Sequence, residues 1–435
     1  MITMLENIFI NEFGKKNLKI GNILFLSGIF LLPSAFIFGS FFLLISLIIS
    51  FLENKDKFLK DRWNYSVFIC ALIIFFSTLK NTLLLIPNEL TNYNKILIWI
   101  NLFNWIPLLL GYAGFQTYLK SFPQRVLFAK FLIIGSFPVI LSCFLQYVLG
   151  VYGPFEIFNG LIIWFQRPLN NSLGVSGLFN NANYLSAWLT IVIPFIFYFI
   201  KKRVKNSGKI FLIIISLIFS YFIILTKSRN GLLALIFTIL SFYSIKNIFY
   251  ALSTFSLFAI ISNYLLSLNN INQNIFITIY GDGFSPRFFI WKSAIGLIKE
   301  RPILGWGAST FPSLNYANNY KFGEYYVNAQ HTHNIFFELA FNFGIPLSII
   351  ILLFILLLLG KVIKNNIKFR NKNNNFHSKS WLIACLISLF LHMSDITLYD
   401  GRIGLIVCIL FSGLRCILQE QETSINSAIN NSIKE

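Results

Sequence analysis

Hydrophobic blocks of about 20 residues alternate with short polar connectors along most of this chain, a pattern that predicts membrane-spanning helices. Twelve spans fit, near 20–36, 38–52, 65–86, 96–119, 126–149, 184–200, 209–226, 231–246, 249–267, 334–360, 381–399 and 402–418. The first two are short and meet at Pro33 and Gly39. Lys15, Lys16 and Lys19 precede them and Lys55, Lys57, Lys60 and Arg62 follow, so both flanks belong inside and the pair is a hairpin, not one kinked helix. One stretch breaks the rhythm. Leu268 to His333 runs for 66 residues without a cysteine, a long acidic run or a low-complexity tract.

Composition narrows the class. Hydrophobic residues make up 56% of the 435 and charged residues 12%, against about 25% charged in soluble domains. Such a chain cannot cover itself with polar groups in water, so the expected fold is a polytopic all-α membrane protein, one integral membrane domain over 1–435. The first 19 residues are mixed polar. The apolar run behind them passes straight into a second span with no small-residue cleavage site, so no cleaved signal is expected. Cys70, Cys143, Cys385, Cys408 and Cys416 lie in apolar stretches without metal or redox spacing and read as packing residues.

Charge sets the orientation. Placing the termini inside puts 24 of the 35 basic residues in inside segments, while the 16 acidic residues split 8 and 8. That asymmetry is the positive-inside tendency, which follows Lys and Arg, not net charge. The net charge of +19 therefore records topology, and the scattered basic residues give no nucleic-acid face. Outer loops are expected at 150–183 and 268–333, the latter periplasmic with short helices. A basic cytoplasmic loop is expected at 361–380 and a cytoplasmic tail at 419–435.

Four clusters on the outer side hold the candidate chemistry. Gly177-Leu178-Phe179-Asn180-Asn181-Ala182-Asn183-Tyr184 ends the first loop, where the asparagines fit either helix capping or substrate binding. Thr226-Lys227-Ser228-Arg229-Asn230-Gly231 is a tight turn whose outside basic pair opposes the charge rule. Arg229 there either snorkels to headgroups or serves a site. Arg287-Phe288-Phe289-Ile290-Trp291 opens an amphipathic helix that Arg301-Pro302-Ile303-Leu304-Gly305-Trp306-Gly307 would end; a surface-lying helix also fits. His331-Thr332-His333-Asn334 stands where the chain re-enters the bilayer. Two histidines two apart suggest a metal, but no Cys, Asp or Glu lies nearby at ligand spacing, so no metal is expected. His392 and Asp395, one turn apart in the eleventh span, either line a cavity or pair between helices. Lys80 is a weaker candidate.

Arginine and histidine without a carboxylate pair or nucleotide loop point to one type of reaction. Arginine's fork suits phosphate oxygens, and histidine can deprotonate a hydroxyl at neutral pH. No nucleotide sugar is available outside, so a lipid-linked pyrophosphate donor fits that pair.

The four clusters, in this order, resemble the O-antigen ligase and O-antigen polymerase superfamily of bacterial membrane glycosyltransferases. Gly177 to Ser186 resembles its Gly-x-x-x-Asn-Pro-Asn-x-x-Ala motif, and Ser228-Arg229-Asn230-Gly231 its Ser-Arg-Gly turn. Arg287 with Trp291, then Pro302 to Gly307, resembles Arg-x-x-x-Trp followed by Pro-x-x-Gly-x-Gly. His333-Asn334 with Gly344-Ile345-Pro346 resembles its His-Asn pair and later glycine. The likeness covers roughly 170–350, with departures at Ala182 for proline, Asn230 for glycine and Asn342 for a frequent carboxylate. It implies a lipid-sugar (GT-C-like) glycosyltransferase fold working without metal or cofactor on a polyprenyl-pyrophosphate-linked oligosaccharide at the periplasmic face of the inner membrane. By the same resemblance Arg229 and Arg287 hold the pyrophosphate and His333 acts as base. Asn181, Asn183, Trp291, His331, Asn334, His392 and Asp395 are expected to bind substrate. The acceptor would be lipid A-core for a ligase or another lipid-linked repeat for a polymerase, in contact with membrane lipids and other polysaccharide-assembly proteins. A membrane transporter, bicarbonate-type or polysaccharide-related, and a non-catalytic assembly scaffold are the rival readings.

Overall fold

A computed structural model of the protein describes residues 15–84, 95–169, 174–202, 206–243, 285–314, 329–368 and 375–432. The expected span 249–267 lies outside the described residues, as do 268–284 and 315–328 of the long polar stretch. Among the described residues eight helical segments are long and apolar enough to cross a membrane, and the chain is a polytopic all-α membrane protein.

The hairpin at the start is present as α1 (Lys16–Leu31) and α2 (Phe36–Glu53). Small residues let the two backbones approach: a Cβ on Gly39 would sit 2.7 Å from the Leu32 backbone, and one on Gly28 3.0 Å from the Gly39 carbonyl. Then come α3 (Arg62–Leu84), a span over Ile96–Tyr118 that contains α4 (Ile106–Gly114), and a span bent at Ser136 into α5 (Phe122–Gly135) and α6 (Phe137–Val148). The first outer loop holds a small antiparallel pair, β1 (Phe155–Ile157) with β2 (Ile162–Trp164). Beyond it run α7 (Ala182–Lys201), α8 (Asn206–Leu225), α9 (Arg229–Tyr243), α10 (Ser285–Glu300), α11 (Ile335–Phe343), α12 (Ile345–Lys368), α13 (Asn375–His392) and α14 (Gly401–Ser432).

Burial separates the core helices from those facing lipid. Of the α7 span 78% is buried, and of Gly401–Ile425 in α14 83%, against 28% for the spans in α2, α8 and α12. The outer helices show Leu44, Ile48, Leu52, Leu217 and Leu357 on their surfaces, a face that only hydrocarbon can solvate. Trp188 of α7 and Trp381 of α13 are fully buried. Trp381 packs on Phe128 and Phe195, with centroids 4.9 and 5.4 Å away. Gly413 of α14 makes room for it, since a Cβ there would meet the indole at 2.1 Å.

Three expected boundaries differ. The expected single span over 334–360 is two helices, because Gly344 takes φ 99 between α11 and α12. Its Cβ would lie 2.0 Å from the Ile303 carbonyl oxygen, so only glycine fits. Hydropathy runs unbroken across that point and cannot register a backbone turn. The span expected to reach 399 ends at His392, and Asp395 stands in the turn behind it, not a helical turn away. Helix α12 reaches Lys368 and α13 begins at Asn375, while α14 continues to Ser432, so helix occupies much of the expected 361–380 loop and 419–435 tail.

Candidate active site

Asp395 is the centre of the polar cluster. It is 7% exposed. Its Oδ1 lies 3.1 Å from His333 Nδ1 and 3.9 Å from His331 Nε2, and accepts the Ile396 backbone N–H at 2.9 Å. Its Oδ2 accepts from Asn183 Nδ2 at 3.1 Å. Burial pushes this carboxyl up, but the two imidazoles and the Arg287 charge outweigh burial and hold it well below the ordinary carboxylate range. Asp395 is thus an anion shared by three separate stretches of chain.

The histidine segment is held from beneath by Glu338 of α11, which is 2% exposed. One Glu338 oxygen accepts from the Thr332 N–H and hydroxyl at 2.9 and 3.0 Å. The other accepts from Tyr399 Oη at 2.6 Å and Asn342 Nδ2 at 3.1 Å. Burial, then that carboxylate, pushes the Tyr399 hydroxyl well above its usual value and keeps it a donor. Asn334 caps α11: its side-chain oxygen takes the N–H groups of Phe336 and Phe337, and its amide donates to the Met393 carbonyl at 2.9 Å. With both neighbours fixed, His333 sits at φ 54, in the left-handed region, its ring 4.4 Å from that of His331.

Arg287 opens α10 half-buried. Burial lowers its guanidinium from the ordinary value, Asp395 supports the charge and Arg229 opposes it. Arginine stays protonated under such a shift. Arg287 therefore sits within electrostatic reach of both Asp395 and Arg229, and among the described residues neither arginine has a carboxylate at bridging distance. An anionic ligand bound between the two guanidinium groups would relieve their repulsion.

The glycine motifs dock these pieces together. Trp306 and Gly307 donate their N–H groups to the Phe341 and Asn342 carbonyls at 2.8 and 2.9 Å, satisfying the open C-terminal end of α11. Gly305 at φ 63 allows the approach, for its Cβ would meet the Phe341 carbonyl oxygen at 2.4 Å. Ile345 N–H bonds the Pro302 carbonyl at 2.8 Å. Below, Ile290, Ala294, Leu297 and Ile298 of α10 pack with Trp306 and Phe341. Arg287 and His333 consequently ride on helices locked to one another. On the other side Val175 N–H bonds the Leu225 carbonyl at 3.0 Å, and Gly231 lies so close to Ser186 that a Cβ would overlap its hydroxyl at 1.6 Å. The Asn183 helix is held against the Arg229 turn in this way.

The three departures from the motif patterns have simple local consequences. Ala182 is the first residue of α7, where proline's missing N–H would go unused anyway. The glycine the turn requires is Gly231, not position 230. Asn342 donates to Glu338, where a second carboxylate would face a like charge.

Not all expected residues reach the cluster. Asn181 is the N-cap of α7, accepting from Asn183 N–H at 2.8 Å. Trp291 packs on Phe337 with centroids 6.1 Å apart, bracing α10 on α11. His392 is 3% exposed, with one ring nitrogen on the Ser388 carbonyl and the other 3.0 Å from the Thr397 hydroxyl, so neither is left for a substrate. Lys80 is exposed on α3. Sequence reasoning misses Glu338 and Tyr399; a lone carboxylate four residues after a capping asparagine in an apolar run is the available signal.

Residues 214–352 match the family model described as O-antigen ligase. The matched range contains Arg229, Arg287, His331, His333 and Asn334 and stops before Asp395. No curated protein matches the chain. The matched stretch is thus similar to the O-antigen ligase and O-antigen polymerase superfamily, and it contains three of the four motif clusters.

Proposed function

We propose that the protein is a membrane glycosyltransferase that moves glycan from a polyprenyl-pyrophosphate-linked donor to an acceptor hydroxyl at the periplasmic face, without a metal. The observation that carries this reading is the 3.1 Å contact between His333 Nδ1 and Asp395, near Arg287 and Arg229, which have no carboxylate at bridging distance among the described residues. Asp395 on Nδ1 orients the ring and leaves Nε2 to take the acceptor proton. As the acceptor oxygen bonds to the anomeric carbon, the bond from that carbon to the phosphate oxygen breaks. The electron pair leaves on the polyprenyl pyrophosphate, whose charge Arg229 and Arg287 neutralise. Asn183, Asn334 and His331 border the reacting groups, and Asn181 and Trp291 shape the walls.

In this reading the eight long helices and the shorter α1, α9 and α13 are spans of a GT-C-like bundle. Glu53, Asp61, Arg125, Arg415 and Glu420 mark the cytoplasmic end, and the Asp395 cluster the periplasmic end. We favour a polymerase, with a second lipid-linked repeat as acceptor, over ligation to lipid A-core. The test is complementation of a deletion strain. His333→Ala and Arg287→Lys should each abolish surface polysaccharide at unchanged protein level, lysine losing the two-pronged phosphate contact. Normal-length glycan from both variants would refute the assignment. In the deletion strain itself, single-repeat lipopolysaccharide marks a polymerase, and bare core with lipid-linked polymer accumulating marks a ligase.

A further inference from the structure

We propose that His331, His333 and Asp395 form a binding site for a late first-row divalent cation, Zn2+ above all, and that its occupancy switches the transfer off. The binding half stands on geometry alone; the inhibitory half rests on the transferase reading above.

The three ligand atoms, His331 Nε2, His333 Nδ1 and Asp395 Oδ1, all lie within 4.8 Å of one another. Zinc bonds of about 2.0–2.2 Å in a tetrahedron separate neighbouring ligand atoms by roughly 3.3 Å. The oxygen-to-nitrogen distances here are 3.1 and 3.9 Å, one on each side of that value. A small rotation of the His331 ring would even them out. Among the described residues His331 Nε2 has no hydrogen-bond partner although it is buried, and a buried polar nitrogen left unused is a standing cost that coordination would remove.

The surroundings suit a metal as well. Asn183 holds the outer Asp395 oxygen at 3.1 Å and the Ile396 N–H holds the inner one at 2.9 Å, fixing the carboxylate as outer partners do in zinc sites. The His331 and His333 rings, tilted 43° to one another with centroids 4.4 Å apart, are clamped by the Thr332 hydrogen bonds between them. Two imidazoles and one carboxylate select Zn2+ over Mg2+ or Ca2+, which demand oxygen ligands. Arg287 opposes the incoming charge, so the affinity falls short of a structural zinc site.

The same bonds that hold the ion disable the base. Coordination takes Nδ1 of His333 and Oδ1 of Asp395 out of their mutual contact. A neutral imidazole that gives its Nδ1 lone pair to the ion carries its one proton on Nε2, which can then accept no other, and the acceptor hydroxyl keeps its proton.

The experiment uses tag-free full-length protein in lipid nanodiscs. Zn2+ titrated calorimetrically should bind one ion per chain, and Mg2+ should not. His331→Ala, and the shape-preserving His331→Gln as a guard against misfolding, should each weaken binding by about tenfold or more. Added Zn2+ should suppress wild-type glycan transfer, and chelator should restore it. Equal Zn2+ affinity in both variants and wild type, or no stoichiometric binding, overturns the site. Transfer abolished by chelator instead of restored overturns the inhibitory role. Loss of the transferase reading would appear separately, as activity retained in His333→Ala while Zn2+ still binds wild type.

Discussion

The two ends of the helical bundle treat charge in opposite ways. At one end Arg415 grips Asp61 with two bonds of 3.0 and 3.1 Å and lies near Glu422, Arg125 pairs with Glu420, and Lys15 bridges Glu53 at 2.9 Å. At the other, Arg287 lies within electrostatic reach of both Arg229 and Asp395, and Asp395 already engages two histidines. Breaking a buried pair by removing one partner strands a charge and costs several kcal/mol. Keeping like charges together also carries a standing cost, lessened here by the exposure of Arg229, and such an arrangement persists where a ligand completes the set. The first end is built for stability, the second holds itself ready for something anionic.

This division can be broken experimentally. The largest effect is expected at the unfinished end. Asp395→Asn should cut transfer about a thousandfold or more, as loss of the group that orients a histidine base does elsewhere. The drop should fall on kcat with the acceptor KM little changed, measured with purified enzyme and lipid-linked glycan; a change in KM alone would remove Asp395 from the base. Next comes the finished end. Arg415→Ala leaves Asp61 without its partner and should cost about 3–5 kcal/mol in unfolding, with turnover of the surviving folded protein unaltered. If instead turnover fell while thermal stability held, the ends would not divide the labour as described. The smallest shift is expected from Gly344→Ala, where a side chain is forced into a glycine-only conformation at about 1–3 kcal/mol, before the clash with Ile303. An unaltered melting curve there would mean the α11–α12 break is soft.

Much of the unfinished end is legible in the amino-acid sequence. The arginines, the histidines and Asn334 stand out because polar residues are rare in so apolar a chain, and the positive-inside rule groups them on one side. The partnership of His333 with Asp395 is not legible there, since 62 residues separate them and spacing rules for ligands or dyads work only within one element. The same blindness produces the expectation of no metal-ligand cluster around His331, which the folded chain assembles with Asp395. Glu338 is hidden by its setting: a single acid in a hydrophobic run reads as an imperfection in a span. Only the turn at Gly344 shows that α11 is a short helix whose job is to support the loop before it. Pro302 to Gly307 reads in the sequence as a helix stop, and its larger role, closing the carbonyl end of α11, depends on a partner that lies beyond it in the chain.

The lock between that loop and α11 also has a mechanical side. Because α10 and α11 share backbone bonds through Trp306 and Gly307, the spacing between Arg287 and His333 is set like the fixed jaws of a caliper. Arg229 and Asn183 stand on two other helices, α9 and α7. A growing or incoming glycan of different bulk cannot be accommodated by widening the jaws. It has to be met by rearrangement on the Arg229 and Asn183 side, so changes of substrate in engineered versions should be sought in 174–183 and 226–231, with 301–307 left alone.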